Sequence, residues 1–501
     1  MSHDPDSSAP ALPVSYKLVI SISLLLMFVL GWFYLGMGNR NVSATFQVYG
    51  SHEVVSGFPA AFRVVQFNGV DNRNLPVTIR SAALVRGEQE VARVPGESAV
   101  ASLPAEVSVP VPEMEPGPLT VRLELSGWDG EARTVEAEVQ VVPPGGSFGH
   151  VQVIPEVDAP PRLDDARLRL SAAGGGLVDG VVNRFWLRGE GLDGKPLVFA
   201  PELRVEDGPV TVARSVGRLG IAAADFVVKG PNSRFVAEVP VGAERMVWDE
   251  MVAPDRAARL TATRRVFAGA PEAVGIELLS SLPEVEMFCS CWHGGSVLRF
   301  LRVTTREHVA RFSVDLPGEG LFWVTCVDNF VSTYEFPAFL PLVVAGSEEG
   351  CLASLLAPFG AAQSGLWPQV ADMTVDERGA AGEYLGDRLA PNDVAVAQLV
   401  NTYEADLEAL RERSGRHRDA VLAVMAILGL GLLVWAVAVA IREQRRLKRS
   451  FREFQDGEDV GDDLANEGIT RKGSYLPAVL IGITFLLNML ALLYLLRLIF
   501  A

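Results

Sequence analysis

The chain is short of the residues that catalytic domains use most visibly. Among 501 residues there are four cysteines and six histidines. His3, His52, His150, His308 and His417 are scattered, with no H-E-x-x-H pair to seat zinc on a helix. No P-loop occurs, and Gly174-Gly175-Gly176 precedes a strand-like segment, where no helix offers its N-terminus to a phosphate. No cofactor is implied. Positive charge is scarce as well: 44 Lys and Arg stand against 61 Asp and Glu, a formal net charge of −17. Without a basic groove to neutralise phosphates, a nucleic-acid partner is excluded.

Long apolar runs are present, at residues 18–36, 420–441 and 476–496, and no run of that length falls between the first two. A helix needs roughly 20 apolar residues to cross the hydrocarbon core, so the runs predict three transmembrane helices. Directly after the second come Arg442, Arg445, Arg446, Lys448, Arg449 and Arg452. Basic residues close to a span are retained in the cytoplasm, which makes these six the determinants of topology. Alternation then gives a cytoplasmic tail at 1–17, an exported block at 40–418, a cytoplasmic loop at 442–474 and a last helix returning outward. The first run reads as a retained anchor rather than a cleaved signal, because Asp4 and Asp6 precede it and Lys17 is the one nearby cation.

The exported block reads as antiparallel β-sandwiches in series. At 40–143, short alternating runs such as 60–67, 77–85, 119–125 and 135–142 recur between turn residues, the period-two signature of a half-buried sheet. The cluster Pro143-Pro144-Gly145-Gly146-Ser147 cannot continue a central strand and reads as a linker. A second sandwich is expected at 150–253. In the first, Phe62-Arg63-Val64-Val65 leads to Asp71-Asn72-Arg73-Asn74-Leu75-Pro76-Val77; in the second, Phe185-Trp186-Leu187-Arg188 leads to Asp193-Gly194-Lys195-Pro196-Leu197. The echo predicts two homologous modules. These hairpins resemble the macroglobulin-type and related immunoglobulin-like sandwiches of bacterial envelope proteins. The thioester of alpha-macroglobulins would need a G-C-G-E-Q-like sequence, and Glu349-Gly350-Cys351-Leu352 lacks the Glu-Gln, so the resemblance implies the scaffold and not a covalent protease trap.

A third sandwich is expected at 257–346. Its order of strand, Pro317-Gly318-Glu319-Gly320 turn, and aromatic strand ending in Cys326 looks like the E–F corner of immunoglobulin-like domains. The resemblance turns Cys326 inward and places Cys289 and Cys291 on the neighbouring C strand. It implies a same-sheet bridge from Cys289 or Cys291 to Cys326, with Cys351 open to the remaining thiol. Disulfides suit an exported block. A second reading stays open, because Cys289, Cys291 and His293 share one face of a strand and two sulfurs with an imidazole suit a soft metal. Residues 347–390, with Gly360, Gly365, Pro368 and Gly379, read as a connector with short helices. From 391 to 419, Val396, Val400, Tyr403, Leu407 and Leu410 form a short heptad stripe, which predicts a stalk helix running into the second span and able to pair two copies of the chain. Within the third span, Asn488 is the polar side chain available for helix packing.

These readings combine into an expectation: a non-enzymatic multi-pass protein of a bacterial cytoplasmic membrane, N-terminus inside, displaying tandem immunoglobulin-like or macroglobulin-like sandwiches on a stalk helix. Its expected role is a scaffold subunit that binds envelope proteins or polysaccharide. A receptor-like transducer acting through the stalk is the alternative, and a protease-directed or enzymatic factor a third.

Overall fold

The computed structural model describes residues 44–455 apart from 70–72, 97–102, 145–150, 164–165, 192, 199–201, 206–210, 231–232, 242–243, 329–337, 361–369 and 392–395, together with Leu25, Phe28, Val29 and Trp32. The chain divides into two units, Ala44–Thr402 and a second made of Met1–Ser43 with Tyr403–Ala501.

The first unit is mainly β, in antiparallel sheets with few helices. Its first sandwich sets strands Thr45–Gly50, Pro59–Asn68 and Ala105–Pro110 against Glu53–Val55, Ala132–Val142, Gly117–Ser126, Thr78–Arg86 and Gln89–Pro95. Alternate residues of both sheets, among them Phe62, Val64, Leu84, Val121 and Leu123, fill the space between them. That is the burial the period-two pattern requires. Gly50 is placed by packing: a Cβ there would lie 2.8 Å from the Phe62 ring and 3.0 Å from Leu399.

The third sandwich repeats this topology. Ala258–Ala262, Val274–Ser280 and Val309–Val314 form one sheet; Val266–Ala268, Ala338–Ala345, Gly320–Val327, Glu286–His293 and Ser296–Thr304 form the other. In both sandwiches a short strand pairs in parallel with the last long one, Glu53–Val55 with Ala132–Val142 and Val266–Ala268 with Ala338–Ala345. The second sandwich is built differently, with Val157–Leu163, Ala166–Ala172, Val182–Gly191, Ile221–Val227 and Thr211–Val216 in one sheet and Glu202–Val205, Ser233–Val241 and Glu244–Val252 in the other. The shared topology thus joins the first and third sandwiches, not the first and second. The hairpin echo misled because a strand, an Asp-rich turn and a proline describe one corner and leave the sheet order open. At that corner the first sandwich continues into a long strand, whereas Pro196 makes only a bridge to Glu190.

The sandwiches are not beads in series. Arg63, on the outer face of Pro59–Asn68, is buried against the third sandwich, its guanidinium 4.2 Å over Phe300 and 2.7 Å from Glu106. Ser108 donates to the Leu298 carbonyl at 3.1 Å, and the Val297 amide donates to Ser51 Oγ at 2.8 Å. The 347–390 segment does more than connect, because its helices are buried between sandwiches. It supplies helices α1 (Glu348–Leu356) and α2 (Val375–Asp387), the latter begun by a Thr374 and Glu377 capping box. Both helices pack into one buried cluster with Trp186 of the second sandwich and Trp292 and Trp323 of the third.

The expected stalk helix over 391–419 begins late. Ala397–Asn401 is a strand on the edge of the first sandwich, paired with Thr45–Gly50. Heptad and strand spacings cannot be told apart over so few residues, and the open edge of that sheet decides: Leu399 and Val400 pack on the sandwich core. The helix, α3, runs from Tyr403 to Gln455 in the second unit. It contains residues 420–441, Leu407 and Leu410. Among the described residues, no helix is long and apolar enough to cross a membrane. Of the other expected spans, 476–496 lies outside the described residues and 18–36 is described only at Leu25, Phe28, Val29 and Trp32.

Gly50→Val pushes a branched side chain between the first strand of the unit and its closing strand. Overpacking of this kind costs about 1–3 kcal/mol, expected as a lower midpoint in denaturant and read by tryptophan fluorescence.

Candidate functional site

The cysteines sort into one bond and two separate thiols. Cys289 and Cys326 face each other in register on adjacent strands, Glu286–His293 and Gly320–Val327, and are joined in a disulfide. Cys291, two residues along, points into the same apolar core and is free. Cys351, free and buried, lies in the other cluster, with its thiol 3.2 Å from the Phe267 carbonyl. The two free thiols sit in different cores, so the second bridge considered from sequence is absent. Burial pushes Cys291 up to about 12 and raises Cys351, leaving neither as a thiolate near neutrality.

The soft-metal reading of Cys289, Cys291 and His293 fails on geometry. The Cys289 sulfur is already bonded, and a bulge between Cys291 and Trp292 interrupts the strand's alternation. His293 is clamped between Phe58 and Phe322, at 5.0 and 4.7 Å between ring centroids. Its Nδ1 donates to the Leu321 carbonyl at 2.8 Å, and Nε2 is buried without a partner. Burial lowers its pKa, since protonation would put a charge there. Among the described residues, no group of three His, Cys, Asp or Glu is placed to hold a metal.

Two glycine spacings not weighed above also resolve. Gly189-x-Gly191-x-x-Gly194 sits at a hairpin, where the Gly191 amide donates to the Lys195 carbonyl at 2.9 Å, and no helix follows to receive a phosphate. Gly145-x-Ser147-x-Gly149 matches the G-x-S-x-G spacing and lies outside the described residues. The described elements on either side in the chain, Ala132–Val142 and Val151–Val153, are both strands, whereas the elbow that arms a serine joins a strand to a helix. Of the topology residues, Arg442, Arg445, Lys448 and Arg449 are exposed along α3, and Arg446 and Arg452 belong to the same helix. Asn488 lies outside the described residues.

Sequence reading missed a polar network where α2 meets the second and third sandwiches. Asp387, at the end of α2, accepts from Trp186 Nε1 at 2.6 Å and pairs with Arg265, both partners buried. One turn earlier, Glu383 pairs with Arg184 at 3.0 Å, and Arg184 also pairs with Asp225 at 2.7 Å. On the far side, Tyr384 donates to Glu156, whose other oxygen lies 3.6 Å from Arg388 and 3.7 Å from Arg188. The sequence signals were the capping box at Thr374 and the period-two arginines, Arg167 with Arg169 and Arg184 with Arg188.

Beside this junction a cleft runs between the second and third sandwiches. The inward side chains of Ala258–Ala262, Val274–Ser280 and Val309–Val314 fill the core, so the alternate ones, Arg259, Thr261, Glu277, Leu279 and Arg311, face outward across the cleft. Opposite them stand Arg184 and Asp225, with Glu383 of α2. Two cavities of about 670 and 430 Å³ share Arg184, Thr261 and Glu277. Such volumes suit small ligands or a few residues of a chain. The cleft offers charge and hydrogen bonds, most of its cations already paired: Arg184 as above and Arg311 with Glu277 at 2.6 Å.

No family model matches the chain. No curated protein matches it either. Among solved structures it is similar to dimeric latent PorU from Porphyromonas gingivalis (12% identity, 61% of this chain and 34% of that one, TM-score 0.23). It is also similar to the alpha-2-macroglobulin of E. coli (9%, 62% and 23%, TM-score 0.17) and to titin domains A168–A170 (13%, 60% and 100%, TM-score 0.14). The chain spans about a third of the first and a quarter of the second, and superpositions this loose carry no argument about function. The sandwich assignment rests on the sheet order.

Two measurements follow from these geometries. Iodoacetamide is expected to label no cysteine in the native protein and two, Cys291 and Cys351, in denaturant without reductant, read by intact mass. Burial, then Glu156, raises the Tyr384 pKa in the folded state. The unfolded chain therefore releases this proton first, and stability is expected to hold below pH 10 and fall as pH rises beyond it. Denaturation between pH 8 and 11 should show a shallower decline in Tyr384→Phe than in the wild type.

Proposed function

We propose that this chain is a non-enzymatic scaffold subunit of a cell-envelope complex, anchored in the cytoplasmic membrane and presenting its fused sandwiches on the outer side to other envelope proteins. The observation that carries the reading is the pairing of Thr45–Gly50 with Ala397–Asn401. The Phe46 amide donates to Thr402 Oγ1 at 2.9 Å and the Thr402 amide to the Phe46 carbonyl at 3.0 Å, so the chain enters and leaves this unit side by side. A folded insertion between two neighbouring chain ends is what a displayed module needs. Anchorage is supported by residues 420–441 of α3, which carry no charged side chain, and by the exposure of Ile427, Leu430 and Val434 there at 70%, 60% and 62%. Apolar surface of that kind requires lipid or another helix as cover. The basic residues from Arg442 to Arg452 support a cytoplasmic end for α3.

A transducer is the second reading. What favours it is the single residue, Thr402, between the strand Ala397–Asn401 and the start of α3 at Tyr403, too short a joint to absorb movement of the strand.

Affinity isolation of the intact chain in mild detergent, with mass spectrometry of what accompanies it, is expected to recover a stoichiometric membrane or envelope protein. Recovery of the chain alone across several detergents would overturn the scaffold reading.

A further inference from the structure

The smaller cavity of the cleft holds a cation that forms no ion pair among the described residues. Arg259 lines it, and its one hydrogen bond is from Nη1 to the Val182 carbonyl at 3.0 Å, while Nε is buried without a partner. Among the described residues no carboxylate lies within ion-pair distance of Arg259, although Arg184 and Arg311 nearby are both paired. Burial pushes its guanidinium down to about 10, against the opposing pull of Asp387 and Asp225; it is a partly buried cation still charged at neutral pH. Leaving such a group without a counter-charge costs stability unless a ligand supplies one.

The surroundings narrow the ligand. Val181, Val182, Val227, Leu279 and Val309 line the same cavity, and Val182 is 49% exposed despite its size; of the carboxylates in the lining, Asp225 is paired with Arg184 and Glu277 with Arg311, and Glu307 stands at the rim. The anion therefore arrives on an aliphatic body. The larger cavity, which shares Thr261, Glu277 and Arg184 with this one, adds Thr263, Glu383 and Arg311, a wall unsuited to a hydrocarbon tail and suited to a chain bearing amides. At the rim, Glu307 and His308 are, among the described residues, the non-glycine ones held at positive φ, 52° and 71°, a two-residue turn whose strain marks a constrained edge.

We propose that this cavity captures the free C-terminal carboxylate of a partner polypeptide ending in an aliphatic residue, with Arg259 pairing the carboxylate and Leu279, Val182 and Val309 receiving the last side chain. The inference rests on the scaffold reading and gives its partner a chemistry. Arginine pairs carboxylates through two parallel N–H donors, and capture of a chain terminus is an established mode of peptide recognition.

The test is calorimetric titration of the full chain in detergent with N-acetyl-Ala-Ala-Val, N-acetyl-Ala-Ala-Leu and N-acetyl-Ala-Ala-Ile as free acids, the same peptides as C-terminal amides, and inorganic phosphate. Saturable binding of at least one acid is expected, weakened tenfold or more by amidation and by Arg259→Gln, and unchanged in Arg122→Gln on the first sandwich. Leu279→Trp, which fills the aliphatic end and leaves Arg259 in place, is expected to weaken binding as much and covers the case in which Arg259→Gln fails to fold. No binding of any acid, equal binding of the amides, undiminished binding by folded Arg259→Gln, or phosphate competing as well as the acids would each overturn the proposal. Co-isolation of a partner without peptide binding overturns this inference alone; peptide binding by a chain that always isolates alone overturns the scaffold reading alone.

Discussion

The pairing of Thr45–Gly50 with Ala397–Asn401 is the constraint on which the first unit depends. Nearly the whole unit lies between these two strands in sequence, and they are neighbours in one sheet. Non-local pairing of this kind closes a very long loop, whose entropic cost rises only slowly with length. Burial of Leu399 and Val400 on the sandwich core, with the two hydrogen bonds between Phe46 and Thr402, opposes that cost. It also covers the edge of Thr45–Gly50 and leaves the short Ala397–Asn401 as the outermost strand of that sheet. The first sandwich is therefore complete only when the last part of the unit has been made.

The junction at α2 answers a different demand. Three sandwiches that met only through apolar faces could slide, since dispersion and burial have little direction. Asp387 fixes the angle: one carboxylate accepts from Trp186 in the second sandwich and pairs with Arg265 in the third. Glu383, four residues earlier on the same helical face, ties Arg184. Buried pairs contribute little net energy compared with apolar replacements, but losing one partner strands the other at a cost of about 3–5 kcal/mol. Placement, more than stability, is what these charges supply.

Much of the architecture was legible because strand alternation is a local property. Phe62, Val64, Val121 and Leu123 declare their sheet by period two, and they form the core as read. The inward Cys326 and its bridge to the neighbouring strand followed from a corner resemblance, with Cys289 the partner and Cys291 left free. What stayed hidden is what only distance in sequence creates. Val400 reads equally as a heptad or a strand residue until Val48 is beside it. Arg184, Glu383 and Asp387 are ordinary surface residues in any window, and the helix bearing two of them contains three glycines, Gly379, Gly382 and Gly386, which obscure its bounds and its buried face. Gly382 has a packing reason: a Cβ there would come 2.8 Å from Val266. The three-helix membrane plan comes from hydropathy and flanking charge; among the described residues no helix is long and apolar enough to cross a membrane, and the first and third members lie mostly or wholly outside those residues.

The same junction bears on how the cleft can act. Its walls are the outer face of the third sandwich and the strands of the second, and α2 is wedged beside them with Glu383 in the wall and Asp387 anchored to both sandwiches. Changing the cleft's width means breaking the Asp387 contacts, at about 3–5 kcal/mol for one stranded partner. Ligand coupling between distant sites is typically about 1–3 kcal/mol. A ligand in the cleft therefore has too little differential binding energy to spread the sandwiches. Along the chain, α2 leads through Leu389–Pro391, which pairs with Val151–Val153, to the strand Ala397–Asn401 and then α3. Each step is held by a sheet pairing of its own, so displacement of α2 would have to disturb two ladders before reaching Tyr403. A preformed cleft on a stiff frame would bind without reorganisation, which fits the proposed holding of a partner better than reporting its arrival.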